Sequence, residues 1–315
     1  MSPQAPAERT KLNMIPLTCV LPVYSGVSPA EFTRAYRSIA HQTLEPEEIL
    51  VVLDGPVQPG IEEFLSEREG SQLTIIRLEH NQGVAAAMRV AFEGARHRWV
   101  ARHDADDIMM PERFAIQWPI VSTGEFAAVG GAMLEFVDNP TNIVRVRRLP
   151  SSHEDLARYA RMNSPLNNQS TVFDRDAVLA VGNVRDVQFM EDYDLFARLI
   201  AHGYRLHSVD KPLVLVHAQD TMYDRRTDAR FAKSERQMQK NLVEMGLITR
   251  PRAVINYAIR QTFRALPRPL LKLAYVGLFH RPDALESPAA EVQRWTEVDW
   301  PGFRPEPDWD KAADE

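Results

Sequence analysis

Four short apolar runs alternate with helix-patterned segments through the first third of the chain, and this alternation constrains the fold more tightly than any other feature. Leu17 to Val23 is the first run and closes on Pro22-Val23-Tyr24. Ser28-Pro29-Ala30-Glu31 then reads as a capping box with proline at the first helical position, opening a helix to about Gln42. Glu48 to Leu53 is the second run and ends in Asp54-Gly55; a short helix from Ile61 to Arg68 precedes the third run, Leu73 to Leu78. An Ala-rich helix from Gly83 to Gly94 leads to the fourth, Trp99 to Arg102. Near-continuous apolar strands separated by helices predict an α/β fold with a mostly parallel sheet covered on both faces. Ligands of such sheets bind beyond the carboxyl ends of the strands. Tyr24, Asp54, Asn81 and Asp104 all fall just after predicted strand ends, so four polar or aromatic side chains converge on one edge.

The second half is more mixed. Ala127 to Gly131 and Ile143 to Arg147 are predicted strands, the latter antiparallel or at an edge. His153 to Arg161 reads as helix, Thr171 to Phe173 as a short strand and Asp174 to Val181 as helix. Asp192 to Ala201 carries Leu195, Phe196, Leu199 and Ile200 at helical spacing, with Gly203 as its C-cap and Asp194 on the solvent side. Leu213 to Val216 reads as a buried strand. From Thr249 the composition shifts: Arg250, Arg252, Arg260, Arg264, Arg268 and Lys272 accumulate, with no acid between Glu244 and Asp283. This predicts a basic amphipathic helix pair broken at Pro267 and Pro269. It suits an anionic membrane surface, or a helix packed on the domain with a solvated basic face. The expected organisation is a flexible N-terminus over 1–14, a globular domain over 15–248, a basic helical extension over 249–282 and an acidic Pro-rich tail over 283–315.

Composition removes several classes of function. A net charge of -6 argues against nucleic-acid binding, which wants a basic stripe. Cys19 is the single cysteine and sits inside an apolar run, so it reads as core in a reducing, cytoplasmic setting. Met1 to Lys11 carries no apolar stretch of the secretory kind, and Leu273 to Phe279 is far too short to span a bilayer.

Asp104, Asp106 and Asp107 follow directly on the fourth apolar run. Clustered carboxylates raise one another's electrostatic energy, and a hard divalent cation such as Mg²⁺ or Mn²⁺ relieves it through oxygen ligands. A metal held by one or two carboxylates leaves positions for substrate phosphates, which points to a nucleotide-diphosphate site. The competing reading is a solvated acidic turn in which Asp107 or a neighbour caps a helix near Pro111. A calcium loop is excluded, because Met109 stands where that loop needs glycine.

With Val20-Leu21-Pro22-Val23-Tyr24, Val51-Val52-Leu53-Asp54-Gly55, Asn81-Gln82-Gly83-Val84-Ala85, His103-Asp104-Ala105-Asp106-Asp107 and Met190-Glu191-Asp192-Tyr193-Asp194-Leu195 in this order, the chain resembles a family-2 glycosyltransferase of the GT-A fold. The resemblance runs from about Leu17 to about Arg226. The later segments are similar to bacterial exopolysaccharide and capsule transferases of the amylovoran-biosynthesis type. The resemblance implies that Pro22, Tyr24 and Asp54 line the base, with Asp54 accepting the imide N–H of uracil. Asn81 and Gly83 would let the backbone pass close to the nucleotide, with Arg89 on the following helix facing the site. Asp104 would contact ribose or metal and Asp106 would ligate the ion. Asp192 would be the general base, with Glu191 and Asn168 beside the acceptor. His217 would complete the metal shell or touch a phosphate, although arginine is the residue expected there. Arg225 and Arg226 would close over the diphosphate. The implied partners are a UDP-sugar and a glycan or lipid-linked acceptor, with peripheral membrane contact through 249–282 and no nucleic acid.

Two other functions compete with this one. A sugar-1-phosphate nucleotidyltransferase shares the strand–loop–acid layout, but Pro22-Val23-Tyr24-Ser25-Gly26 lacks its glycine repeat and lysine. A degenerate nucleotide-sugar-binding module would have lost acids that this chain keeps.

Overall fold

The computed structural model describes residues 13–68, 70, 72–137, 140, 142–217 and 229–265. β1 (Met14–Val23), β2 (Glu45–Asp54), β3 (Leu73–Leu78) and β4 (Trp99–Arg102) lie side by side in the order β3-β2-β1-β4, all parallel. Side chains alternate across a strand, so each strand feeds two cores. Cys19, Leu21, Ile49, Val51 and Leu53 pack with Phe32 and Ile39 of α1 (Pro29–Ala40) and Ile61 and Leu65 of α2 (Pro59–Ser66). Val20, Leu50, Val52 and Val100 pack on the other face with Met88 and Phe92 of α3 (Val84–Gly94). The expected capping box opens α1: Glu31 N–H donates to the Ser28 hydroxyl, and Ser28 N–H donates to the Glu31 carboxylate. Cys19 is fully buried, and that burial pushes its thiol up to about 12.

Beyond β4 the sheet becomes mixed. β5 (Ile108–Met109) and α4 (Arg113–Val121) lead to β6 (Ala128–Phe136), β7 (Ile143–Arg147) and α5 (His153–Tyr159). β8 (Val172–Asp174), α6 (Arg175–Ala180), α7 (Glu191–Ala201) and β9 (Leu206–His217) follow. The full order is β3-β2-β1-β4-β8-β6-β9-β5, with β7 paired to β6. β8 runs antiparallel to both β4 and β6, β9 runs parallel to β6, and β5 and β7 are antiparallel to their neighbours. Parallel pairing therefore holds without exception only across β1–β4. The strand expected at Leu213 to Val216 is the end of the longer β9, which passes Pro212 where its pairing with β6 shifts register. Irregular pairing is where a strand tolerates proline.

α8 (Ala229–Glu244) and α9 (Arg250–Ala265) complete the described chain. Met238, Leu242 and Ile248 pack on Met190, Tyr193 and Ala197, so α8 is seated on α7. Here one expectation fails: Asp194 is fully buried, not on the surface. Its carboxylate accepts Arg198 Nε at 2.7 Å and Asn241 Nδ2 at 2.8 Å, and Arg198 Nη1 donates to Val181 O. A carboxylate can occupy this core position because each of its oxygens is matched by a donor. Removing one partner of a buried pair strands the other charge, which costs about 3–5 kcal/mol. Asp194→Ala is expected to lower the unfolding free energy by that amount, read in urea titration as a lower midpoint at unchanged m-value.

Candidate active site

The carboxyl ends of β3, β2, β1 and β4 form one edge, with Val23 beside Leu53, Asp54 beside Leu78 and Val20 beside Arg102. Pro22 lies half-buried near the end of β1, and Tyr24 follows it with 48% of its surface exposed. Asp54 is not the acid of an isolated turn. Its carboxylate accepts Gln82 N–H at 2.7 Å and Gly83 N–H at 2.9 Å, closing the loop before α3 onto β2. Gly55, at φ +83°, lets that loop press in, since a Cβ there would meet Asn81 N at 2.6 Å. Asn81 is exposed on the same loop. Each Asp54 oxygen keeps a second lone pair for a further N–H. Arg89 turns away from this edge, giving its Nε to Val184 O at 3.0 Å, so it does not face the site as expected.

The acid cluster leaves the end of β4. Arg102 grips Asp104 with Nε on Oδ1 at 2.8 Å and Nη2 on Oδ2 at 3.3 Å, and its Nη1 lies 3.9 Å from Glu191 Oε1. Burial disfavours the Arg102 charge, but Asp104, Glu191 and Asp192 outweigh it and hold the guanidinium charged. Arg113, fully buried on α4, donates to Arg102 O at 2.9 Å and to Gln169 O at 3.1 Å, bracing this loop and the one that follows α5. Nothing in the local sequence pattern marked Arg102 or Arg113 as site residues. Arg102 looked like the last residue of a strand, and Arg113 like the opening of a helix.

Asp106 is half-buried, and burial followed by the charge of Asp104 raises its pKa. Asp107 is buried more deeply. Its Oδ1 accepts His217 N–H at 3.2 Å, and its Oδ2 is buried without a partner among the described residues. Burial, then Asp104 and Asp106, hold its pKa well above the usual carboxylate range. The helix-capping reading of Asp107 is therefore wrong: α4 opens after Glu112 with no side-chain cap. The His217 ring stacks on Phe136 with centroids 5.1 Å apart, and its Nδ1 is buried and unpartnered among the described residues. Arg34 on α1 also feels the charges of Asp106 and Asp107, with its Nε buried and unpartnered among the described residues. It lies three residues after Glu31, where nothing in the helical pattern distinguishes it from a solvent-facing arginine.

Among the described residues, no three of His, Cys, Asp and Glu form a cage that could hold a metal ion. What the cluster offers is an open oxygen set: Asp106 crowded by Asp104, beside the His217 ring. Such a set fits a hard divalent ion that takes its other ligands from phosphate and water.

Across the cleft, α7 opens at Met190, which makes no side-chain cap. Glu191 and Asp192 occupy the first turn and point into the cleft, so neither serves as an N-cap. Phe189 precedes them at φ +66°, a conformation bulky residues rarely adopt, and its ring packs on Phe231 of α8. Asp192 accepts the Ser164 hydroxyl at 3.1 Å. Asn168, on the 3₁₀ turn Asn168–Ser170, lines the same small pocket as Arg102, Glu191 and Asp192. Burial and the charge of Asp192 push Glu191 up to about 7, against the pull of Arg102. Burial also raises Asp192, opposed by Tyr193 N–H, Arg102 and Ser164. The structure thus brings Asp104, Glu191, Asp192 and Asn168 around one guanidinium. Arg225 and Arg226 lie outside the described residues.

A family model described as Glycosyl transferase family 2 matches residues 18–183. The chain is 31% identical over 261 residues to the amylovoran biosynthesis glycosyltransferase AmsE of Erwinia amylovora, covering 81% of this chain and 96% of that protein. It is 26% identical over 264 residues to the UDP-Gal:alpha-D-GlcNAc-diphosphoundecaprenol beta-1,3-galactosyltransferase of Escherichia coli, covering 83% and 96% respectively. Its fold matches that of S. aureus TarS 1-349 in complex with UDP-GlcNAc at a TM-score of 0.58 and 14% identity, covering 89% of this chain and 79% of that one. A mixed sheet with an acid cluster at its carboxyl edge, wrapped in this way, is a GT-A glycosyltransferase fold. The chain belongs to glycosyl transferase family 2, which excludes the nucleotidyltransferase reading.

Glu191 gives this site a pH signature. Its folded pKa of about 7 lies above the usual 4.5, so the folded state binds the proton more tightly than the unfolded chain. Folding is therefore penalised progressively as pH rises from 4.5 to about 7, and the penalty is complete above that. Glu191→Gln is expected to raise Tm at pH 8 and to leave it nearly unchanged at pH 4.5; calorimetry at the two values checks the sign.

Proposed function

We propose that this enzyme transfers a sugar from a UDP-sugar to a hydroxyl of a lipid-linked glycan in surface polysaccharide synthesis, with inversion at the anomeric carbon. The observation that carries the reading is that Arg102, which grips Asp104, also lies 3.9 Å from Glu191 and acts by its charge on Asp192 in the same cleft. Asp192 removes the proton from the acceptor hydroxyl, and the resulting oxygen attacks the anomeric carbon from the side opposite the diphosphate. The carbon–oxygen bond to the diphosphate breaks, and its electron pair leaves on the phosphate oxygen. Ser164 holds Asp192 in place for this step, and Asn168 and Glu191 orient the acceptor beside it.

Donor recognition falls to the opposite edge. Asp54 accepts the imide N–H of the base, Pro22 and Tyr24 flank the ring, and Asn81 and Gly83 carry the backbone past the ribose. Asp104 binds the ribose, while Arg225 and Arg226 close on the phosphates. Asp106 and His217 would hold Mg²⁺ or Mn²⁺, which when bound neutralises charge on the departing diphosphate. The likeness to a transferase named for UDP-Gal and a diphosphoundecaprenol-linked acceptor supports both the donor and the acceptor class. Such an acceptor would place the enzyme at the cytoplasmic face of the membrane, with 249–282 as the contacting segment and 15–248 as the catalytic domain.

Two variants separate these roles. Asp106→Asn is expected to abolish the Mn²⁺-dependent part of UDP binding in calorimetry, and unchanged binding would remove the metal assignment. Asp192→Asn should retain UDP binding while sugar transfer falls by about 10²–10⁴-fold, the range of a lost general base; turnover at the original rate would reject Asp192 as the base.

A further inference from the structure

α9 is amphipathic in the reverse of the usual sense. Its inward positions are Ala253, Asn256, Tyr257, Arg260 and Gln261, and its outward positions include Val254, Ile255, Ala258 and Ile259. The inward polar groups are engaged by the protein. Asn256 Nδ2 donates to Arg161 O at 2.9 Å and to Gln239 Oε1 at 3.1 Å. Arg260 pairs with Glu235 at 3.0 Å and donates to Met162 O and Asn163 Oδ1. These contacts land on the segment directly before Ser164, whose hydroxyl holds Asp192. The outward face is left apolar: Val254 is 69% exposed, Ile255 51% and Ile259 36%. Of the six large hydrophobic side chains exposed among the described residues, these three share one helix face. Singly exposed apolar residues are ordinary, whereas a rimmed cluster marks an interaction surface.

The expected basic amphipathic helix thus has Arg260 turned to the protein and its isoleucines outside, while Arg250 and Arg252 stay exposed. We infer that the Val254–Ile255–Ile259 face of α9 seats in the surface of an anionic lipid bilayer. The charge around the face selects this occupant. Arg250 and Arg252 are exposed where the helix begins, and no acid follows Glu244 until Asp283. Apolar side chains that enter the acyl boundary with arginines at headgroup level are the pattern of an interfacial helix. The inference rests on the lipid-linked acceptor reading and deepens it. The helix that meets the bilayer also clamps the loop carrying Ser164, so the base is held at a fixed place relative to the surface from which the acceptor comes.

Flotation of the full-length protein with phosphatidylcholine vesicles, with and without phosphatidylglycerol, tests this. The wild type should float with the anionic vesicles. The triple substitution Val254→Ser, Ile255→Ser, Ile259→Ser should reduce its partitioning by about tenfold or more, with an unchanged rate of Mn²⁺-dependent UDP-sugar hydrolysis. Arg250→Glu with Arg252→Glu should lose most of the preference for anionic vesicles. Equal flotation of the triple variant and the wild type, or no flotation of either, overturns the inference. So does a concentration-dependent dimer in sedimentation that the triple variant abolishes, which would assign the face to a second copy. Hydrolysis measured on the same samples keeps the two readings apart. A protein that hydrolyses donor without floating fails on the lipid contact alone, and one that floats without hydrolysing fails on the transfer reading.

Discussion

A guanidinium with its side chain only 9% exposed joins the two halves of this molecule. Arg102 ends the last strand of the parallel layer, yet it reaches Asp104 on its own loop and Glu191 at the start of a helix on the far side of the cleft. Without that charge, three carboxylates would face one another in a partly dry pocket, and the cheapest response would be to take up protons. With it, the loop after β4 and the start of α7 are tied across the cleft. The strand supplies rigidity, because β4 is hydrogen-bonded on both sides and Arg113 fastens its last carbonyl from below.

The other elements serve the same edge. Asp54 clamps the loop after β3, the two-residue β5 ties the acid loop to β9, and α8 and α9 hold the entry to α7 from outside. The sheet carries a second polar knot near its opposite end. Glu48, fully buried, accepts from Thr18 at 2.6 Å, from Thr74 at 2.7 Å and from the backbone and side chain of Arg96 at 2.8 Å. Three strands are pinned there, at the end of the layer away from the acid cluster.

The parallel layer was legible because its strands are apolar on both faces and its first helix carries an explicit cap. The convergence of Tyr24, Asp54, Asn81 and Asp104 followed from strand polarity alone. What could not be read depended on partners far away in sequence. β5 is two residues long and exists only because Val214 and Leu215 are there to pair with it. Asp194 looks solvent-facing by helical position, and is buried because Arg198 and Asn241 supply its hydrogen bonds. Arg102 carries no signature at all, since a strand-ending arginine has meaning only when an acid waits across the gap. In α9 the count of arginines left open which face each one occupies: Arg260 turns to the protein, while Arg250 and Arg252 stay exposed.

Asp107 stands beside Asp106, but its hold on the backbone of His217 gives it another duty. It is a latch between the end of β9 and the loop that β4 delivers, and its second oxygen has no partner among the described residues. Loss of that carboxylate would slacken the hold between this loop and the end of β9. A protease would register such slackening directly, as cutting in a segment that the intact latch keeps closed.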